Sequence, residues 1–169
     1  FNGEITTWDD AKIAALNEGV TLPSTAIKPF FRSDESGTTE NFTKYLKAAS
    51  DGAWSAEPGK TWTGKGEGKE KSSGVADAVK STVGGITYVE LSYALQNKMA
   101  HAAMQNSAGA WVQPNAASFA AAAASADWKN SQDFNLVITD APGAESWPIT
   151  ATNFILMRKQ PRDAADAKA

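Results

Sequence analysis

Five residues in the first quarter of the chain have the types and spacing of an oxyanion site. Arg32 is followed by Asp34, Ser36, Gly37 and Thr38. A guanidinium can donate two parallel hydrogen bonds to a tetrahedral oxyanion, and Asp34 can hold it by pairing with its other edge. Hydroxyl groups of Ser36 and Thr38, with the close backbone approach that Gly37 allows, would complete an anion-binding turn.

A strand, a tight turn and a helix must position these side chains. Apolar residues precede Arg32, and an apolar periodicity of the helical kind follows Thr38, which predicts a strand at about 27–32 and a helix from near Ser36 to about Ala49. The first N–H groups of such a helix and the positive end of its dipole favour an anion. The same residue types also cap helices that bind nothing, so capping and anion binding both remain open here.

Residues 32–39, Arg-Ser-Asp-Glu-Ser-Gly-Thr-Thr, resemble the R-x-D-G-S-G-T signature of the PstS-type phosphate-binding proteins of the bacterial phosphate ABC transporter. Further stretches match this family in the same order, so the resemblance covers nearly the whole chain: 3–10, 74–90 and 147–156. It implies that Asp34 holds the arginine and that four residues bind inorganic phosphate, namely Arg32, Ser36, Gly37 and Thr38. The sequence departs from the signature at Glu35, where the family has glycine.

The resemblance also implies an architecture in which two lobes close around the anion. The expected fold class is α/β, a periplasmic-binding-protein type II-like lobe with a mixed, mostly parallel sheet flanked by helices. Residues 1–146 would form the second, anion-binding lobe, and residues 147–169 a return strand and the start of a C-terminal segment. That segment would lead toward a first lobe missing from this chain, which in the family carries the acidic residue that reads the proton of the anion.

The implied setting is outside the cytoplasm. The family is exported to the periplasm or the outer face of the cytoplasmic membrane, where it delivers phosphate to an ABC transporter permease. Contact with the membrane is expected only through a lipid anchor outside this chain. Because the chain begins at Phe1, with neither an initiating Met nor a signal sequence, we expect it to be incomplete.

Composition limits the classes of function. With 169 residues, 42% of them apolar and 21% charged, the chain can bury the core of one ordinary domain. A net charge of −3 gives no general attraction for nucleic acid. The absence of cysteine excludes disulfides and thiolate metal sites. No stretch approaches the ~20 apolar residues of a membrane-spanning helix.

No constellation of catalytic residues is found, and no cofactor or metal is expected. His101 is the only histidine, and no motif surrounds it. The stretch Gly59-Lys60-Thr61 lacks the first glycine of a nucleotide-binding loop, since Trp54 stands there. Two alternatives to phosphate capture remain: a binding protein for another tetrahedral oxyanion such as sulfate, and a phosphatase-type enzyme.

The rest of the chain alternates predicted helices and strands, which favours ligand binding where strands end and helices begin. The predicted elements are a helix within 1–20, a loop at 51–73, a helix capped by Ser72 or Ser73, a strand at 86–89, a helix from Leu91 to about Asn97, a strand near 101–106, a helix at 116–127 opened by Asn115 or Ser118, strands at 134–139 and 152–157, and the start of a C-terminal helix at 158–169.

Overall fold

The computed structural model describes residues 1–160 of the chain. The predicted start of a C-terminal helix at 158–169 therefore lies almost entirely outside the described residues. In chain order the elements are α1 (Ala11–Ala14), β1 (Lys28–Arg32), α2 (Gly37–Ala49), β2 (Glu67–Lys69), α3 (Lys71–Ser81), β3 (Gly85–Ile86), α4 (Leu91–Gln96), β4 (Met104–Gln105), β5 (Trp111–Val112) and α5 (Ala116–Ala124).

The central element is β1, which lies between β2 and β3 in a parallel sheet of order β2-β1-β3. Phe30 pairs with Glu67 on one side, and Lys28 pairs with Gly85 on the other. Helices α2 and α3 form the two crossovers, so the predicted α/β class is confirmed. Because the three strands run in one direction, their carboxyl ends and the starts of the following helices meet at one edge. A separate antiparallel pair joins β4 to β5.

Two groups of buried side chains pack the helices against the sheet. In the first, Phe42 of α2 stacks on Tyr88 with ring centroids 4.7 Å apart, and both lie against Trp62. Aromatic pairs of this kind contribute about 0.5–1.5 kcal/mol beyond their buried area. Phe31 of β1 also stacks on Trp62, so this group packs α2 against β1. The second group joins α3 to β1 and consists of Phe30, Val75 and Ala78.

Helices α2, α4 and α5 lie where periodicity predicts them. Both predicted caps of α5 take part: the Asn115 side chain accepts from the Ser118 N–H at 3.0 Å, and the Ser118 hydroxyl accepts from the Asn115 N–H at 3.1 Å. The helix expected within 1–20 is reduced to the single turn of α1, capped by Asp10. Leu16, which follows this turn, is 65% exposed, so no buried apolar contact stabilises a second turn there.

The strands of the structure differ from the sequence-based predictions at four places. The loop expected at 51–73 contains β2, whose sequence Glu-Gly-Lys has low strand propensity and is ordered by pairing with β1. The strand expected at 86–89 is shorter and earlier, at β3. No ladder forms at 134–139 or 152–157 within residues 1–160. Strands need a neighbour to satisfy their backbone groups, and neither stretch has one in this part of the chain.

Candidate functional site

The carboxyl end of β1 and the first turn of α2 meet at the edge of the sheet. Arg32 is the last residue of β1, and Ser36 is the N-cap of α2. The buried hydroxyl of Tyr88 joins the two elements: it accepts from the Arg32 backbone N–H at 3.2 Å and shares a 2.7 Å hydrogen bond with the hydroxyl of Thr39. Burial raises the pKa of Tyr88, so the hydroxyl keeps its proton. This contact fixes the position of Arg32 relative to the start of the helix.

The guanidinium of Arg32 is held by the carboxylate of Asp34. Its Nε donates to Oδ1 at 2.8 Å and a terminal nitrogen donates to Oδ2 at 2.5 Å. The backbone N–H of Lys71 donates to the same carboxylate at 2.9 Å. The bond from Arg32, and then the one from Lys71, hold the pKa of Asp34 well below its ordinary value, and the pairing raises the pKa of Arg32. The result is a fixed, ionised pair with a defined orientation.

Two donors of Arg32 remain for a ligand. Of its five N–H groups, two bind Asp34 and one donates to the Ser72 hydroxyl at 3.0 Å. The other two have no acceptor within residues 1–160. The Arg32 side chain is only 11% exposed, so water covers little of it. A nearly buried cation with two free donors is well suited to an anion.

The first turn of α2 supplies further donors. The Ser36 side-chain oxygen accepts from the N–H groups of Thr38 at 3.1 Å and Thr39 at 3.3 Å, which confirms its capping role. Those bonds use lone pairs and leave the proton of the Ser36 hydroxyl free to donate. The N–H of Gly37 has no acceptor in residues 1–160, and a side chain at Gly37 would meet no atom within 4 Å, so a ligand can reach its backbone. Capping and anion binding are therefore compatible.

Two residues of this site, Ser72 and Glu90, were not predicted from the sequence as site residues. The Thr38 hydroxyl donates to Oε1 of Glu90 at 2.6 Å, and the Ser72 hydroxyl donates to Oε2 at 2.8 Å. Ser72 was predicted as a helix cap, but the N-cap of α3 is Glu70 and Ser72 instead connects Arg32 to Glu90. Burial disfavours the charge of Glu90, but hydrogen bonds and the charge of Arg32 outweigh it and lower the pKa.

Similarity to known proteins identifies the family of this chain. A model of the PBP superfamily domain matches residues 1–168. The chain belongs to this superfamily. It is 56% identical over 173 residues to a phosphate-binding protein PstS of Xylella fastidiosa, covering 100% of this chain and 47% of that protein. The PstS of Pasteurella multocida is 42% identical over 172 residues, with 100% and 50% covered. That of Haemophilus influenzae is 41% identical over 162 residues, with 94% and 48% covered.

Two conclusions follow for this PBP superfamily chain. The resemblance to PstS-type phosphate-binding proteins noted in the sequence is confirmed. The chain spans about half the length of the curated relatives it matches.

Glu35, the departure from the signature, fits the turn without backbone strain. Its φ is not positive, its side chain is exposed, and it makes no hydrogen bond or ion pair within residues 1–160. Glutamate therefore adopts an ordinary conformation at a position where the family has glycine. The charge stays in solvent beside the site, where it weakly opposes an anion.

The glycine- and lysine-rich segment after α2 contacts the site through a backbone carbonyl group, not as a nucleotide-binding loop. The carbonyl oxygen of Lys60 accepts from the Ser36 N–H at 3.0 Å. This hydrogen bond ties the segment to the N-cap of α2. The Lys60 side chain is exposed, as is His101. Among residues 1–160, no group of three or more His, Cys, Asp or Glu side chains could hold a metal ion.

Proposed function

We propose that this chain is the anion-binding lobe of a solute-binding protein that captures inorganic phosphate for an ABC importer. The observation that carries the proposal is the orientation of Arg32. Asp34 occupies one edge of the guanidinium through two hydrogen bonds, which leaves two donors beside the open start of α2. The names of the relatives, phosphate-binding proteins, support phosphate as the anion.

The proposed ligand contacts are Arg32, Ser36, Gly37 and Thr38, with Asp34 as the partner that orients the arginine. The side-chain donors are two N–H groups of the guanidinium and the hydroxyl of Ser36, and the N–H of Gly37 adds a backbone donor at the positive end of the helix dipole. Charge-assisted hydrogen bonds of this type are about twice as strong as neutral ones, and their strength grows as water leaves the site. In this role the protein binds phosphate and makes or breaks no covalent bond.

A second lobe would complete the site. We assign residues 1–146 to the anion-binding lobe and residues 147–169 to a return strand and the start of a C-terminal segment toward the other lobe. Matches that cover all of this chain but only about half of each relative support the proposal of a second lobe. So does a run of apolar side chains that are more than half exposed, which a strand of another sheet would cover: Phe154, Ile155, Leu156 and Met157.

The proposed setting is outside the cytoplasm, in the periplasm or at the outer face of the cytoplasmic membrane. There the protein would deliver phosphate to the permease of an ABC transporter, with a lipid anchor outside this chain as its contact with lipid. None of the helices within residues 1–160 is long and apolar enough to cross a membrane. The net charge of −3 gives no reason to propose nucleic acid as a partner.

Equilibrium dialysis of the protein at its natural full length against labelled phosphate tests this function. We expect one saturable site and retention of phosphate in the presence of an equal concentration of sulfate. Incubation with 4-nitrophenyl phosphate, with and without divalent metal, should release no nitrophenol. Absence of saturable phosphate binding contradicts the proposal, equal displacement by sulfate favours a general oxyanion carrier, and turnover favours an enzyme.

A further inference from the structure

Lys71 and Ser72, the first two residues of α3, contact the Arg32–Asp34 pair at the end of β1. We propose that Ser72 is a positioning residue for phosphate capture: it holds the guanidinium of Arg32 in the orientation that binds the anion, without touching the anion itself. This inference rests on the proposed function and goes beyond it, since it assigns a share of the affinity to α3, outside the signature at residues 32–39.

The first step concerns the two terminal nitrogens of Arg32, each of which carries two N–H groups. One N–H of Nη2 donates to Asp34 at 2.5 Å, and one N–H of Nη1 donates to the Ser72 hydroxyl at 3.0 Å. The two donors left for a ligand are therefore divided between the nitrogens, one on each. Loss of the Ser72 contact would release the nitrogen that carries one of these two donors.

The second step is that Asp34 alone does not fix the guanidinium. Two bonds to one carboxylate keep the two groups edge to edge but let them tilt about the line between the carboxylate oxygens. Asp34 also belongs to the same turn as Arg32 and moves with it. Ser72, in contrast, belongs to a helix that packs on β1 through the buried side chains of Val75 and Ala78. Its contact prevents the tilt and ties the guanidinium to the core.

The third step concerns the hydroxyl of Ser72, which has a single orientation. It donates its proton to Oε2 of Glu90 at 2.8 Å, and this turns a lone pair of the same oxygen toward Arg32. Ser72 is only 6% exposed, so water has little access to this oxygen. The hydroxyl is thus set as an acceptor for the arginine before any ligand arrives.

The backbone of Lys71 supports the same role for the start of α3. Its φ is +61°, in a region that residues with a Cβ adopt only at a cost in energy. Its N–H donates to Oδ1 of Asp34 at 2.9 Å, while its side chain is exposed. Such strain persists where surrounding contacts require it. Two consecutive residues of α3 therefore hold both members of the Arg32–Asp34 pair.

Calorimetry with inorganic phosphate on the full-length protein tests the inference. We expect Ser72→Ala to weaken phosphate binding at least threefold. Ser73→Ala is the matched control, because it makes the same change at the next position of α3, where the side chain is exposed. Its affinity should stay within twofold of wild type. A loss of less than threefold in Ser72→Ala, or an equal loss in both variants, overturns the inference.

Proton and nitrogen NMR of the phosphate-free protein separates positioning from general destabilisation. The side-chain signals of Arg32 are those that disappear in Arg32→Lys. While Ser72 holds Nη1, rotation about the Cζ–Nη1 bond is slow and the two Nη1 hydrogens should give separate signals. In Ser72→Ala, but not in Ser73→Ala, they should merge into one. Separate signals in Ser72→Ala, or merged signals in wild type, overturn the positioning role.

Ser72→Cys provides a second variant of similar side-chain volume, whose sulfur is a weak acceptor. Its phosphate affinity should lie between those of wild type and Ser72→Ala, and affinity equal to wild type would overturn the inference while leaving phosphate capture intact. A wild-type protein that bound no phosphate would overturn the proposed function, and this inference with it.

Discussion

Arg32 and Asp34 are joined edge to edge by two parallel hydrogen bonds, of 2.8 and 2.5 Å, although they are separated by one residue in the chain. The carboxylate balances the positive charge of the guanidinium and fixes its plane. An anion bound at the opposite edge would therefore meet oriented donors rather than an isolated charge. We infer that affinity at this site depends on the geometry of hydrogen bonds more than on long-range attraction.

This pairing predicts a dependence of stability on acid pH. Aspartate in an unfolded chain titrates near pH 4, and the pKa of Asp34 in the folded protein is lower because Arg32 and then Lys71 donate to it. Between the two values the unfolded state binds more protons, so the stability from this carboxylate is present above about pH 4 and is lost as the pH falls toward the folded value.

Urea unfolding of wild type and Asp34→Asn between about pH 6 and about pH 3 measures this contribution. The variant should be less stable at the upper end and should lose less stability on acidification. Asp77→Asn, which removes an exposed carboxylate of α3, should follow wild type. Parallel pH profiles for wild type and Asp34→Asn would contradict the assigned role of the pair.

The local half of the site could be predicted from sequence, because β1, the turn and α2 are contiguous. Arg32 and Ser36 lie on the same turn between a strand and a helix, so type and spacing suffice to place them together. Ser72 and Glu90 could not be found this way. They lie 40 and 52 positions from their partners, and only the crossovers of the parallel sheet bring them to the same edge.

Several strands, like Ser72 and Glu90, could not be predicted from the local sequence. Residues 67–69 have little strand propensity and become β2 because β1 offers them a ladder. In contrast, 134–139 and 152–157 have strand-like composition and form no ladder within residues 1–160. Strand formation depends on a neighbour, which local composition does not contain. Helices α2 and α5 were better predicted, since their hydrogen bonds are internal and their caps are local.

The N-cap Ser36 should contribute to both stability and binding. Ser36→Ala removes the acceptor for two helix N–H groups and should cost about 1 kcal/mol of unfolding free energy. It also removes a hydroxyl donor to phosphate, so affinity should fall at least fivefold. Asn115→Ala, which removes the cap of α5, should show a similar loss of stability with affinity unchanged. Equal affinities for the two variants, by calorimetry, would take Ser36 out of the proposed site.

The Tyr88 hydroxyl should matter for binding without touching the ligand. Tyr88→Phe leaves the Arg32 N–H and the Thr39 hydroxyl without this partner, which should cost about 1–3 kcal/mol of unfolding free energy. Phosphate affinity should also fall, because the hydroxyl that bridges Arg32 of β1 and Thr39 of α2 is lost. Tyr45→Phe is the control: its hydroxyl donates to the Gln105 carbonyl oxygen at 3.1 Å. If the two variants bind phosphate equally well, Tyr88 serves stability alone.

The charge of Glu35 should weaken binding slightly. Two like unit charges about 8 Å apart in water-like surroundings repel each other by about 0.5 kcal/mol, which is roughly a twofold effect on affinity. Glu35→Ala should therefore tighten phosphate binding about twofold at low salt, and the gain should disappear near 1 M salt. Weaker binding by the variant would mean that the glutamate supports the turn that holds Ser36.

The most direct test of the account is the affinity for phosphate after replacement of Arg32. Truncating one partner of a charged hydrogen-bonded contact in a desolvated site costs about 2–5 kcal/mol, which is about 30-fold to several thousand-fold in affinity. Calorimetry on the full-length protein should show that loss for Arg32→Ala. Arg32→Lys should recover little of it, since an ammonium lacks the planar pair of donors. If either variant binds phosphate within about threefold of wild type, Arg32 is not a ligand and the proposed site is wrong.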